Sequence, residues 1–519
     1  MREFNVTGNC VKSEHYMVDI SQKLKSIKAL VDKRKYFTIN RARQYGKTTT
    51  LYHLQEMLLS EYVCLKISFE GICDNPFSSS QAFCEKLLKQ LALATTEKYP
   101  NINIAWIHKS VNDFEELGER ITEICREHKI VLLIDEVDKS SDNQIFLNFL
   151  GVLRNKFLER NAGVGHTFHS VILAGVHDIK NIKRKMVASG THMLSSGEGN
   201  YNSPWNIATD FEVDMSFNPA EIATMLTDYE SEYATNMNIS EISQEIYDYT
   251  SGYPFLVSRI CKIIDEKLNK DWSVGGLKEA IKRLLDEANT LFDDIYKNLE
   301  DNKELSDFIY EILILGERYP FTIYDSVIML GNMYGFLKKE DGKTVVSNKI
   351  FELLIAEHFI VKDLRKQKKS QRVDVDDVVE NGKFDLETCL IKFAAHYHEL
   401  FSEQDEKFLE RHGRLLFLSF LKPLINGVGF YHIETHTRNL RRMDVVLDYG
   451  NEQFIIELKI WYGDKKHAKA YDQLLEYMSA KDAKTGYLLT FDFRKDTNKI
   501  CKAEWVDFDD GRRIFDVIV

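Results

Sequence analysis

No run of about 18 apolar residues, the length a membrane-crossing helix needs, occurs in this 519-residue sequence. The opening residues, Met1-Arg-Glu-Phe-Asn-Val6, also lack the apolar segment of an export signal. Both absences lead to the expectation of a cytoplasmic chain with no membrane partner. Cys-x-x-Cys pairs are missing too. The eight cysteines are scattered, and Cys64, Cys125 and Cys261 fall inside apolar or helical patterns, so they read as reduced core residues. Nor is there an excess of positive charge: 68 Lys and Arg against 80 Asp and Glu give a formal charge of −12. That excludes a protein that coats nucleic acid through bulk charge and confines any such contact to local basic patches. A hydrophobic content of 44% suffices for folded domains throughout, and the length implies about three of them.

One further absence is local. The segment Arg41-Ala42-Arg43-Gln44-Tyr45-Gly46-Lys47-Thr48 has arginine where a G-x-x-x-x-G-K-[ST] phosphate loop has its first glycine. Its context is nevertheless that of such a loop, because a β-branched and aromatic run (36–40) precedes it and a helix-forming stretch (49–59) follows. A strand that turns tightly into a helix aims backbone N–H groups and the positive dipole end at one spot. Lys47 would reach the β- and γ-phosphates there, and Thr48 would hold Mg²⁺.

About 90 residues later, Lys129-Ile-Val-Leu-Leu-Ile-Asp135-Glu136 reads as a buried parallel strand closed by two carboxylates. In a nucleotide site Asp135 would hold the Mg²⁺ shell and Glu136 would orient or deprotonate the attacking water. Taken alone, it reads equally as a core strand with a solvated acidic turn. Helix and strand signals alternate around the two motifs, and together they point to an α/β nucleotide-hydrolysing domain with a parallel sheet.

After the strand at 167–175, His177 and Asp178 stand where a γ-phosphate sensor would, or cap a turn. Lys180, Lys183, Arg184 and Lys185 would supply a finger to a neighbouring subunit of a homo-oligomer, or form a solvated face. Asn218-Pro219 marks a helix start, with Asn218 as N-cap and Pro219 at the first helical position. Ser251-Gly-Tyr-Pro-Phe255 interrupts the helical pattern that follows; Arg259 beyond it would sense the γ-phosphate, or sit exposed after a helix-ending turn. Helices and a turn at 338–343 suit a winged-helix module, although residues 321–335 contain neither lysine nor arginine, which argues against base readout there.

The tail carries a second chemistry, within Arg442-Met-Asp444-Val-Val-Leu-Asp-Tyr-Gly450-Asn451-Glu-Gln-Phe-Ile-Ile-Glu457-Leu-Lys459. Gly-Asn between two apolar runs signals a two-residue hairpin, and that turn sets Asp444 opposite Glu457. Two like charges so placed repel unless a divalent cation lies between them. Lys459 shares the face of Glu457. Two carboxylates and an ammonium suit Mg²⁺-assisted phosphodiester hydrolysis. A half-exposed hairpin with a surface Glu/Lys ladder is the plainer alternative, disfavoured by the apolar residues on nearly both faces of the strand.

On these motifs the N-terminal half resembles the bacterial AAA-ATPase-like proteins, whose loop, approximately N-R-P-R-x-F-G-K-[ST], is matched by Asn40 to Thr48 with Ala42 in place of proline. The C-terminal part resembles the PD-(D/E)XK nuclease domain often fused to them, with Met443 at the proline position. The resemblance implies an AAA+-like ATPase core (1–215), a helical lid (216–275), a helical or winged-helix region (276–365), a linker (366–383) and a restriction-endonuclease-like α/β domain (384–519). ATP would be bound through Arg43, Gln44, Tyr45, Gly46, Lys47, Thr48, Thr49, Asp135 and Arg259, with Mg²⁺ on Thr48 and Asp135. Glu136 would serve hydrolysis, and Asp444, Glu457 and Lys459 would cut DNA, or RNA, with Mg²⁺ on the two carboxylates. Defence against foreign DNA is the setting this implies, with a protein activator as a further partner. The other function class is a nucleotide-dependent switch or scaffold that binds nucleic acid or protein without cutting.

Overall fold

The computed structural model describes residues 2–70, 79–102, 111–140, 144–176, 204–366, 377–380, 382–403, 406–425, 428–434, 444–450, 452–461, 463–492 and 502–519. These divide into two compact units, one of residues 1–247, 251–273 and 333–335, the other of 248–250, 274–332 and 336–519. His177, Asp178, the basic cluster at 180–185, Met443 and Asn451 lie outside the described residues. Among the described residues no helix is long and apolar enough to cross a membrane.

The first unit is built on a four-stranded parallel sheet, ordered β1 (Tyr36–Asn40), β4 (Ser170–Gly175), β3 (Ile130–Asp135), β2 (Val63–Ser68). The apolar run of β3 is unbroken because both of its faces are covered. Ile130, Leu132 and Ile134 join a core with α3 (Ser80–Lys98), α4 (Phe114–Glu127) and α5 (Gln144–Asn161). Val131 and Leu133 turn the other way, into a core with α1 (Ser21–Asp32) and α2 (Lys47–Leu58). Three helices follow in the region expected to be a lid: α6 (Pro219–Tyr233), α7 (Ile239–Thr250) and α8 (Pro254–Lys267). α6 starts as expected, with Asn218 and Glu221 forming a reciprocal capping box and proline in the first turn.

The second unit opens with α9 (Val274–Leu285), α10 (Thr290–Asp301), α11 (Lys303–Tyr310) and α12 (Ser326–Met333). An antiparallel hairpin, β5 (Leu337–Glu340) and β6 (Lys343–Val346), comes next, then α13 (Lys349–Lys366). A two-residue ladder pairs β7 (Val379–Glu380) with β8 (Lys383–Phe384). Two helices, α14 (Leu386–Glu403) and α15 (Glu406–Ile425), come next. They lead into a six-stranded mixed sheet ordered β13 (Lys502–Asp507), β14 (Arg513–Ile518), β12 (Thr485–Phe491), β11 (Glu452–Ile460), β10 (Asp444–Tyr449), β9 (Gly429–Glu434). The centre, β11, β12 and β14, is parallel, with antiparallel strands on both sides. α16 (Asp464–Ala480) closes one face, packing Ala470, Leu474 and Met478 on Ile455, Leu488 and Ile514.

Candidate functional sites

Between β1 and α2 the chain makes its turn with two left-handed residues, Gln44 (φ 54°) and Gly46 (φ 74°). Arg41 is not one of them, which is why no glycine is required where the usual loop has its first. Its guanidinium instead supports the loop from below, donating to the carbonyls of Asn40 and Val213, both at 2.9 Å, and lying 5.3 Å from the Phe211 ring. Burial pushes its pKa below the ordinary arginine value. α2 begins at Gly46 without a side-chain cap, so the N–H groups of its first turn are left for a ligand.

Lys47 is 7% exposed, and its Nζ donates to the carbonyls of Arg41 and Ala42, each at 2.9 Å. Burial lowers its pKa, opposed by the nearby carboxylates of Asp138, Glu136 and Asp135. Asp135 ends β3 and is buried, its Oδ1 accepting from the Glu136 N–H at 3.0 Å. Glu136 follows with φ 56°, a left-handed turn that separates the two carboxylates: Asp135 stays in the sheet while Glu136 reaches the cavity wall. Burial, then repulsion from Asp135, raises the Glu136 pKa.

The cavity beside these residues measures about 420 Å³, within the few hundred cubic ångströms usual for small-molecule sites. Gln44 through Thr49, with Glu136, form its polar wall, and Met17, Val18, Ile20, Met215, Phe217 and Phe255 contribute apolar surface. A lining that combines these polar groups with apolar side chains fits a phosphorylated aromatic ligand. Tyr45 is held by Ser216 (2.8 Å) and packs edge-on to Tyr253 at 4.6 Å. Arg43 contributes its carbonyl, which accepts from the Tyr253 hydroxyl, and its side chain does not line the cavity. Arg259 is half-buried on α8, one residue past the lining Ser258, and is not itself a lining residue. Two contributors escaped the sequence reading: the N-terminal segment from Asn5 to Ile20, and Glu70 at the end of β2. Neither carries a motif, and only the fold brings them here.

Residues 42–182 match the AAA domain family. Over that span the chain is similar to AAA domains, which are P-loop ATPase modules. No curated protein matches this chain in sequence. Among solved structures, the chain is similar to the Walker-type ATPase of Pyrococcus abyssi, at 12% identity and TM-score 0.47 over 68% of this chain and 99% of that one. The ORC2 protein of Aeropyrum pernix, in its ADPNP-ADP complexes, gives 11% and 0.38 over 69% and 98%. The ORC1 protein of the same organism, in complex with DNA, gives 11% and 0.30 over 67% and 94%. Likeness this distant carries no functional inference.

Outside the AAA domain, the C-terminal hairpin has the register its turn implies, with Asp444 paired to Glu457. On the other side of β10, Asp444 pairs with Glu434, so three acidic residues occupy one row across β9, β10 and β11. Glu457 is fully buried, and Lys459 Nζ approaches its Oε1 at 2.6 Å. Among the described residues there is no group of three or more His, Cys, Asp or Glu placed to hold a metal; Asp444 and Glu434 belong to this row by backbone register. What fits a divalent cation is the donor chemistry, a carboxylate with no access to water opposite a second acidic position.

One strand further on, Thr490 is the register partner of Lys459, and its hydroxyl lies 3.5 Å from His467 Nδ1. His467 Nε2 meets the buried Asp516 at 2.9 Å, and the Tyr471 hydroxyl donates to the same oxygen at 2.6 Å. Burial works to raise the Asp516 carboxyl, but those two hydrogen bonds and the charges of His467 and Lys502 hold it below its ordinary value. This cluster was not foreseen from sequence, because its members lie on α16, β12, β13 and β14, up to 49 residues apart.

Proposed function

We propose that the chain is an ATP-hydrolysing nuclease: the AAA domain binds and hydrolyses ATP, and the C-terminal sheet cleaves DNA phosphodiesters with Mg²⁺. The observation that carries the nuclease assignment is Glu457, a fully buried carboxylate joined to Lys459 at 2.6 Å and in register with Asp444. A buried charge with no chemical task is disfavoured against an apolar residue of similar size, which makes retention of this pair informative.

In the AAA domain, Lys47 would exchange its loop carbonyls for β- and γ-phosphate oxygens, and the uncapped first turn of α2 would donate to the same groups. Thr48 and Asp135 would hold Mg²⁺, which supplies charge neutralisation of the phosphates. Glu136, at the cavity wall with a raised pKa, accepts the proton of the attacking water. In the C-terminal site Asp444 and Glu457 would hold Mg²⁺, which lowers the pKa of a bound water and polarises the phosphoryl group. Lys459 positions that water and offsets charge developing on the phosphate. The exposed Lys465, Lys466 and Lys469, at the start of α16, would hold the nucleic-acid backbone, the local basic contact a −12 chain requires. Defence against phage or mobile DNA is the setting we propose.

The Lys459–Glu457 contact also favours a second reading, in which the pair satisfies itself and the domain binds nucleic acid or protein without cutting. The test is incubation of the purified chain with linear, circular and single-stranded DNA, and with RNA, in Mg²⁺ with and without ATP, beside Lys47→Ala, Asp444→Ala and Glu457→Gln. Cleavage lost in the last two variants establishes the nuclease, and Lys47→Ala shows whether ATP controls it. ATP hydrolysis with every substrate intact gives the non-cutting reading.

A further inference from the structure

Residues 2–16 fold back on themselves: Glu3 N–H donates to Glu14 O and Tyr16 N–H to Glu3 O, both at 3.0 Å, closing a loop over residues 4–15. The base of that loop is fastened to the lid. Arg2 forms ion pairs with Asp228 at 2.5 Å and Glu232 at 2.6 Å on α6, and Glu3 pairs with Lys262 on α8 at 2.6 Å. Phe4, 1% exposed, sits among the rings of Tyr16, Tyr229 and Trp272 at 5.0–6.0 Å. The far side of the loop reaches the phosphate-loop helix, where the Cys10 N–H donates to Thr49 Oγ1 at 3.4 Å.

Between these fastenings, Asn5, Thr7 and Gly8 line the cavity, while Thr7 and Gly8 are also exposed to solvent. Residues that face both the cavity and bulk water stand at its mouth. The loop therefore spans the opening, tied to the lid at one end and touching the first turn of α2 at the other.

We propose that residues 2–16 are a retaining strap for the nucleotide, whose attachment to the lid sets how fast the bound nucleotide leaves. This rests on the nucleotide-binding reading of the cavity and extends it to a segment that has no phosphate-binding motif. A nucleotide seated against Lys47 and Thr48 cannot depart through this mouth unless the loop shifts, and loop movement is restrained by the pairs to Asp228, Glu232 and Lys262. Weakening those pairs leaves the phosphate contacts in place, and because the same loop must shift for a nucleotide to enter, release and association both quicken while affinity changes little.

The experiment measures release of N-methylanthraniloyl-labelled ADP and ATP from the full chain, chased with excess unlabelled nucleotide in a stopped-flow fluorimeter. Two variants are compared with the parent: Arg2→Ala/Glu3→Ala, which removes the partners on the strap, and Lys262→Ala, which removes one on the lid. These side chains are partly exposed, so neither variant threatens the core. Release about fivefold to tenfold faster in the double variant, and about two- to threefold faster in Lys262→Ala, with association quickened by a similar factor, is expected from losing one to three partly exposed pairs. Release at the parent rate in both variants overturns the strap while leaving nucleotide binding intact. A parent chain that takes up neither labelled nucleotide overturns the nucleotide reading and the strap together.

Discussion

Gly252 begins the turn that places α8 against the cavity, and replacing it by alanine tests how rigidly the lid is seated. Its φ is +70°, and its carbonyl accepts from the Phe217 N–H at 2.8 Å. A Cβ there would lie 1.9 Å from Phe217 O and 2.7 Å from Phe217 N and C, all backbone atoms. Ordinary carbon–oxygen contact begins near roughly 3.3 Å, so one segment must retreat by more than about 1 Å. The left-handed conformation costs alanine about 1 kcal/mol and overpacking adds about 1–3 kcal/mol, together about 3 kcal/mol. Gly8 supplies the control: its φ is +67° but nothing lies within 4 Å of its added Cβ, leaving only the conformational cost of about 1 kcal/mol. At roughly 2–4 °C per kcal/mol, Gly252→Ala should lower the melting temperature of the ATPase unit by roughly 6–12 °C and Gly8→Ala by roughly 2–4 °C. Calorimetry of the full chain reads both. Because Pro254, Phe255 and Ser258 line the cavity, ATP affinity should fall in Gly252→Ala as well. Equal melting temperatures for the two variants would refute the steric reasoning.

Further outcomes follow from the site. The burial that lowers the Lys47 pKa means that ATP binding should weaken with rising pH before an ordinary lysine would titrate; Lys47→Arg, which keeps its charge, should lose that alkaline limb in a titration of affinity. Glu136→Gln should bind ATP normally and hydrolyse it at least about 100-fold more slowly in a phosphate-release assay. The raised Glu136 pKa means that the folded state holds its proton above the ordinary carboxylate range, so stability falls as pH rises through that window; urea unfolding of the Gln variant should lack this fall. His169 is lowered from 6.5 to about 4 by burial and by Arg34 and Arg160. Its contribution to stability is therefore complete above about pH 6.5 and lost as pH falls towards about 4, and His169→Gln should flatten the acid limb over that interval in the same urea series.

Local signals in the sequence were strong where a turn or cap dictates geometry. Asn218-Pro219 with Glu221 fixes the start of α6, and the break at Ser251–Pro254 appears as two consecutive left-handed residues before α8. Gly450-Asn451 determined which residues face each other across β10 and β11 without any knowledge of the rest of the sheet. The 167–175 strand signal overran its start, since β4 begins at Ser170. What sequence could not supply is adjacency between distant segments. Asp516, His467 and Tyr471 meet only after β14 inserts beside β12, and Asn5 reaches the cavity through anchors more than 200 residues away, such as Asp228 and Lys262. The motif singled out Lys47, whereas its hold on the Arg41 and Ala42 carbonyls depends on loop conformation.

The pairing of Asp444 with Glu457 makes the hairpin a counting device. Their numbers match across the turn at Gly450, so one residue added to the turn would slide β10 past β11 by a position. Because successive side chains alternate between faces, the slip would carry one of the two carboxylates to the opposite side of the sheet and leave the other behind. A single inserted codon would thus separate the acidic pair while sparing every residue in it. Inspection of the motif would miss that separation, which shows only in the length of the turn.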